Sequence, residues 1–217
     1  MKPWPGLRSI GMPGKALTQQ ARVRTNTTKD SVCSVNVEAV TFAKLWTAYP
    51  GGHPYVDPKT GKLPPGFDNQ CAIKVSMAIH GAGIEMKSFR GSARRVNGLP
   101  VAYVAAQLAD WLKLQPFCGL PKSSDNVTGP DWQDKVQGRT GIVYFANYWA
   151  RDAKETRVKK PSGDHIDLWN GSRLTATGMS FFSTLGRRIG LASIGAGTSW
   201  GYSDLSRSTE ILFWEVK

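Results

Sequence analysis

The stretch that most constrains this chain is Asp68-Asn69-Gln70-Cys71 and the apolar run behind it, Ala72 to Ala82. Pro64-Pro65-Gly66 closes the preceding segment as a turn. Ala72, Ile73, Val75, Met77, Ala78 and Ile79 then give a helix that is apolar nearly all round. A helix of that kind is buried, so the rest of the domain has to be built around it. Cys71 falls at or within one residue of its start, with Asp68 or Asn69 the expected N-cap. The helix dipole and the free N–H groups of the first turn favour a thiolate there. Such a cysteine is either a nucleophile or a small core residue, because free cysteines are among the most buried residue types.

A partner for a nucleophile lies far downstream, in Ser162-Gly163-Asp164-His165-Ile166-Asp167-Leu168-Trp169-Asn170-Gly171. His165, Asp167 and Trp169 alternate with Ile166, Leu168 and Asn170. A strand therefore carries the imidazole and the Asp167 carboxylate on one face, and Asn170-Gly171 ends it in a turn. A histidine with a carboxylate two residues on suits a general base and its orienting group; the same pattern also describes a surface histidine before an edge strand. His53, in the loop ahead of Cys71, is a second candidate base with no strand to orient it. His80 lies nine residues after Cys71, on the opposite face of the helix and roughly 13 Å along its axis. It is expected to be a packed histidine with a satisfied ring nitrogen.

Four blocks, in order from about Val37 to the C-terminus, resemble one family. They are Phe42-Ala43-Lys44-Leu45-Trp46-Thr47-Ala48-Tyr49-Pro50, Asp68-Asn69-Gln70-Cys71-Ala72-Ile73, His165-Ile166-Asp167-Leu168-Trp169-Asn170-Gly171 and Ile211-Leu212-Phe213-Trp214-Glu215-Val216. They are similar to the fourth family of type VI secretion amidase effectors. The resemblance implies a papain-like, NlpC-type α+β fold, with N-terminal helices carrying the nucleophile packed on an antiparallel sheet carrying the histidine. It implies an antibacterial cysteine amidase that cuts the peptidoglycan stem peptide between D-glutamate and meso-diaminopimelate. The secretion machinery and a cognate immunity protein are the implied partners. Cys71 then attacks, His165 carries the proton and Asp167 is the third group. The Cys71 N–H is the first oxyanion donor, with the Gln70 or Asn69 side chain as a second, and Trp169 joins Asn69 and Gln70 as a substrate contact. No cofactor is expected. The chain departs from the family in one place: the aspartate expected about a turn beyond Trp-Asn-Gly is replaced by Leu174-Thr175-Ala176-Thr177, which holds no carboxylate.

The formal net charge of +12 raises the question of nucleic acid. It is spread over short pieces (Arg22 and Arg24, Arg94-Arg95, Arg157 with Lys159-Lys160, Arg187-Arg188), none inside a nucleic-acid-binding motif. The three cysteines and three histidines show no zinc spacing. Attraction to an anionic polymer such as peptidoglycan fits the charge equally well, so no nucleic-acid partner is expected. The competing reading is a basic binding module for nucleic acid or cell-wall polymer in which Cys71 and His165 are structural; a cysteine protease acting on proteins is a nearer rival. No run approaches the roughly 20 apolar residues of a membrane span, so no membrane insertion is expected. Met1-Lys2-Pro3-Trp4-Pro5-Gly6 lacks a signal peptide's apolar region. The expectation is a protein made in the cytoplasm and injected by type VI secretion into a target bacterium's periplasm.

Residues 1–36, rich in Pro, Gly, Thr and basic residues without a sustained apolar period, are expected to be an extension, either packed on the domain or mobile. Residues 37–217 then form the amidase domain. Ala39, Phe42, Leu45, Trp46 and Tyr49 predict a helix ending at Pro50, and Gly51 to Gly66 a long loop that walls the groove. Pro100 to Leu114 predicts a third helix. Thr140 to Asn147 predicts a strand buried on both faces beside the His165 strand, and Ile211 to Val216 a closing strand. Arg151 to Asp164 is a charged connection, either solvated or touching substrate carboxylates through Lys159 or Lys160. Cys33 and Cys118 are either a disulfide or two buried thiols.

Overall fold

The computed structural model describes residues 18–24, 32–150, 153–158, 161–175 and 205–217. The chain divides into two units, the first ending at Ala39 and the second running from Val40 to Lys217. In the first, β1 (Thr18–Arg24) and β2 (Val32–Glu38) pair antiparallel from Thr18 opposite Glu38 to Arg24 opposite Val32. This hairpin lies largely inside the stretch that shows no apolar period. Its sequence signal is the short alternation of Cys33, Val35 and Val37 with Ser34, Asn36 and Glu38.

The second unit is α+β. Its centre is an antiparallel sheet in the order β5-β8-β6-β7, formed by β5 (Asp125–Asn126), β6 (Gly141–Trp149), β7 (Gly163–Trp169) and β8 (Glu210–Glu215). β6 is central because its residues are apolar on both faces. Ile142, Tyr144 and Ala146 enter one core, and Val143 and Phe145 enter the other. The first core is shared with α1 (Phe42–Ala48), α2 (Cys71–Gly81) and α3 (Ala105–Lys113), and also takes Ile166 and Leu168 of β7. The second holds Trp132 and Val136 of the short α4 (Trp132–Val136) with Trp169, Leu174, Leu205, Ile211 and Phe213. Among the described residues, no helix is long and apolar enough to cross a membrane.

α1 is capped by the Thr41 hydroxyl, which accepts from Lys44 N at 3.4 Å. It crosses α2 closely at Gly81, where an added Cβ would come within 2.5 Å of Ala48 Cβ. α2 begins at Cys71 itself, as the apolar run predicts, but its cap differs from expectation. Gln70 occupies the N-cap without a side-chain capping bond, and Asn69 Oδ1 accepts from Cys71 N instead.

The expected helix from Pro100 to Leu114 is shorter. Pro100, Val101 and Ala102 belong to β4 (Leu99–Ala102), which pairs with β3 (Ala93–Val96), and the helix starts at Ala105. The hairpin turns at Asn97-Gly98, both at positive φ (51° and 80°), the Asn-Gly signal of a tight two-residue turn. The charged connection contains a helix, α5 (Ala153–Val158); Lys159 and Lys160 lie outside the described residues, as does most of the Gly-, Ser- and Thr-rich stretch after Thr175. Cys118 is a free thiol.

Candidate active site

Two elements bring the chemistry together. α2 packs along β7, which is the edge strand of the sheet among the described residues, so the start of the helix faces the first half of the strand. Cys71 opens α2 and is 8% exposed. It lines a cleft of about 440 Å³ with Gly66, Asp68, Asn69, Tyr103, Val104, Ala105, Trp149 and Asp164.

His165 and Asp167 occupy alternate positions of β7, as the period of two requires, and are joined: His165 Nε2 lies 3.6 Å from Asp167 Oδ2. That is an ion-pair distance rather than a hydrogen bond. His165 keeps 20% of its side chain exposed, stacks on Phe145 at 6.2 Å and meets Tyr148 edge-on at 6.3 Å. Burial alone would pull its pKa down. Asp167 and Cys71 beside the ring outweigh burial and push it up to about 10. With Nε2 turned to Asp167, the buried Nδ1 has no hydrogen-bond partner.

Asp167 is held on several sides. Its Oδ1 accepts from Leu168 N at 2.8 Å and from the Thr175 hydroxyl. Thr175 reaches it because the chain turns back at Asn170-Gly171 and runs beside β7. Trp169 bridges to Leu174, and Thr175 N donates to Leu168 O at 3.0 Å. The turn is locked by Asn170 Oδ1, which accepts from Ser172 N and Arg173 N at 3.1 and 2.9 Å. A hydroxyl thus stands in the neighbourhood where the family resemblance calls for a carboxylate. Tyr49, at the end of α1, joins the same group. Burial and the charge of Asp167 push its phenol well above the ordinary value, against the opposing effect of a bond with Thr175.

Two sequence expectations about the site need correction, those for Gln70 and Trp169. Gln70 is not free to meet an oxyanion: it is 3% exposed, its Oε1 accepts from Tyr55 N at 2.9 Å, and its Nε2 donates to Tyr55 O at 2.7 Å. Its amide fastens the Gly51–Gly66 loop to the start of α2. The Cys71 N–H, the expected first oxyanion donor, donates to Asn69 Oδ1 at 3.2 Å. Trp169 is not a surface for substrate. It is fully buried in the second core, edge-on to Trp132 at 5.4 Å, with its indole N–H donating to Val136 O at 2.9 Å. Asn69 does line the cleft. His80 meets Pro100 O at 2.7 Å through Nε2, and His53 lies exposed in its loop.

The sequence reading missed Trp149. A bulge in β6 between Phe145 and Trp149, with Asn147 at φ 53°, carries the end of that strand to the cleft. There the indole lies flat on Gly163, whose added Cβ would come within 2.1 Å of Trp149 Nε1. A Gly at the start of the His165 strand is the signal that another group packs against its backbone. Among the described residues, no three or more His, Cys, Asp or Glu side chains are grouped to hold a metal.

A helix-borne cysteine is thus set against a histidine and an aspartate on an antiparallel sheet, within an α+β unit. Residues 67–214 match the family described as type VI secretion system (T6SS), amidase effector protein 4, and the chain belongs to that family. No curated protein matches the sequence. Among solved structures, the chain is similar to the effector of the Tae4/Tai4 effector–immunity system of Salmonella typhimurium, at 15% identity and TM-score 0.49, over 83% of this chain and 100% of that one. It is also similar to the type VI effector Tae4 of Enterobacter cloacae, at 17% identity and TM-score 0.48, over 82% and 96% of the two chains. The Tae4–Tai4 effector–immunity complex from Enterobacter cloacae gives 18% identity and TM-score 0.48, over 82% and 98%.

Proposed function

We propose that this amidase effector hydrolyses the D-glutamyl to meso-diaminopimelate amide of peptidoglycan stem peptides, with Cys71 as nucleophile and His165 as proton carrier. The observation that carries the reading is the placement of Cys71 at the mouth of a cleft, beside an imidazole whose Nδ1 is unbonded and whose Nε2 faces Asp167. In this reading Cys71 Sγ attacks the amide carbon and the carbonyl π pair moves to oxygen. The tetrahedral intermediate collapses by breaking C–N, and the leaving amine takes the proton from His165. Water then attacks the thioester, passing a proton to His165 while the C–S pair returns to sulfur. Asp167 orients the ring and stabilises its cationic form. The oxyanion is met by Asn69, whose exposed carboxamide lines the cleft, and by the Cys71 N–H once Asn69 Oδ1 releases it.

The same reading takes the protein by type VI secretion into the periplasm of a target bacterium. It also gives the protein a cognate immunity partner, as in the effector–immunity systems of Salmonella typhimurium and Enterobacter cloacae. The test is digestion of purified Gram-negative sacculi with the wild-type chain and with Cys71→Ala, followed by mass analysis of the soluble fragments. Conversion of tetrapeptide to dipeptide stems by wild type alone is the expected result. Cleavage that persists in folded Cys71→Ala would end the nucleophile assignment, and no cleavage by folded wild type would end the substrate assignment.

A further inference from the structure

The strand that carries His165 has no side chain at its first position, Gly163. Side chains alternate along β7, so one at Gly163 would stand in the row of His165 and Asp167, about 6.5 Å before the histidine. The indole of Trp149 fills that place. Trp149 pairs with Gly163 across the two strands, and an added Cβ at Gly163 would overlap the indole at Nε1, Cδ1 and Cε2. The pyrrole ring therefore rests on the Gly163 backbone, and its buried Nε1 has no hydrogen-bond partner among the described residues.

Packing of the cores does not account for this tryptophan. Trp132, Trp169 and Trp214 are closed into the two cores at 2% exposure or less, whereas Trp149 is half-buried and joins no apolar cluster among the described residues. It opens instead on the cleft that Cys71 lines. With Nε1 turned inward, the indole shows that cleft carbon. An aromatic surface of this kind receives an apolar part of a ligand rather than exchanging hydrogen bonds with it.

Its place beside the histidine selects the part of the substrate. In the amidase reading His165 gives its proton to the leaving amine, so that nitrogen comes within hydrogen-bond reach of the ring, about 2.6–3.2 Å. The residue that owns the amine then lies on the His165 side of Cys71, and the next place along the same row of β7 is the one the indole fills. Resting on that reading, we propose that Trp149 is a specificity-determining residue whose carbon face receives the aliphatic arm of the diaminopimelate. Gly163 is its positioning residue, because a Cβ there would push the indole off the strand.

Two measurements on the full chain test this. The first is steady-state cleavage of a soluble tetrapeptide stem and of an analogue with alanine in place of diaminopimelate, which keeps the amide and removes the arm. On the tetrapeptide, Trp149→Ala should raise KM about tenfold, the lower end of what one apolar group in a pocket contributes, with kcat within about threefold of wild type. Trp149→Phe should recover most of the loss. On the analogue, wild type should already show the raised KM, and Trp149→Ala should add less than about twofold. Gly163→Ala should raise KM on the tetrapeptide as Trp149→Ala does and add nothing to it in the double variant. The second measurement is calorimetric binding of both peptides to Cys71→Ala, where Trp149→Ala should weaken Kd about tenfold for the tetrapeptide alone. Should Trp149→Ala fail to fold, Trp149→Thr, which suits a strand, gives the same comparison. Unchanged KM and Kd in a folded variant overturn the proposal, and so does an equal loss on tetrapeptide and analogue. Binding needs no turnover, so a wild-type chain that leaves the amide intact defeats the amidase reading while the arm-dependent Kd still decides Trp149.

Discussion

Gln70→Ala separates a loop anchor from an oxyanion donor. The Gln70 carboxamide makes both of its hydrogen bonds to the Tyr55 backbone, at 2.9 and 2.7 Å. Truncation leaves one N–H and one C=O of a partly buried residue without their partners, each costing about 1–3 kcal/mol. Because water can reach part of this strand of loop, the lower end applies, and the sum is about 2–3 kcal/mol. In a unit the size of Val40–Lys217, 1 kcal/mol corresponds to about 2–4 °C, so melting followed by circular dichroism should fall by roughly 4–12 °C. Slackening of the loop at the cleft should raise KM severalfold while kcat stays within about threefold of wild type. An oxyanion donor behaves in the opposite way, losing about 10²–10³ in kcat with little change in stability. Unchanged melting with a collapsed kcat would therefore refute the anchoring assignment. Gln70→Glu sharpens the comparison, since it keeps the acceptor for Tyr55 N–H and sets an oxygen against Tyr55 O.

Trp169→Leu should cost about 2–4 kcal/mol in urea unfolding, from lost packing on Trp132 and the lost indole hydrogen bond to Val136 O, which keeps its bond from Arg139 N, and should leave KM unchanged; a raised KM at unaltered stability would restore it as a substrate contact. His165 binds its proton more tightly in the folded state than in the unfolded one. Its contribution to stability is therefore fully present below about pH 6.5 and is lost as pH rises through about 10. Unfolding free energies at pH 6 and pH 10 should fall more steeply for wild type than for His165→Gln, and parallel slopes would contradict the raised pKa.

The elements legible in the sequence are those whose pattern is self-contained. The all-round apolar run fixes α2, the unbroken apolar β6 requires burial on both faces, and Phe42, Leu45 and Trp46 mark α1. The end of β4 from Pro100 reads from sequence as the start of a helix because Pro100 suits a first helical turn, yet Asn97-Gly98 is the stronger local signal.

The residues of β7 show why a shared face does not give a shared role. His165, Asp167 and Trp169 alternate correctly, but their side-chain exposure falls from 20% to 4% to none along the strand. The strand starts at the cleft and runs down into the second core, under Trp132 and Phe213. Depth along the strand, which period alone does not encode, assigns the roles. His165 is the shallowest of the three and keeps a fifth of its side chain exposed. Asp167 is two residues deeper, closed in by Leu168 N and the Thr175 hydroxyl, which suits the proposed role of acting on the imidazole and not on substrate. Trp169 is deeper still and fixes the strand end by packing. The hydroxyl of Thr175, returning past the Asn170-Gly171 turn, contributes a donor to a carboxylate already on β7. In the proposed mechanism the orienting charge therefore sits on the histidine's own strand, and the neighbouring segment needs none.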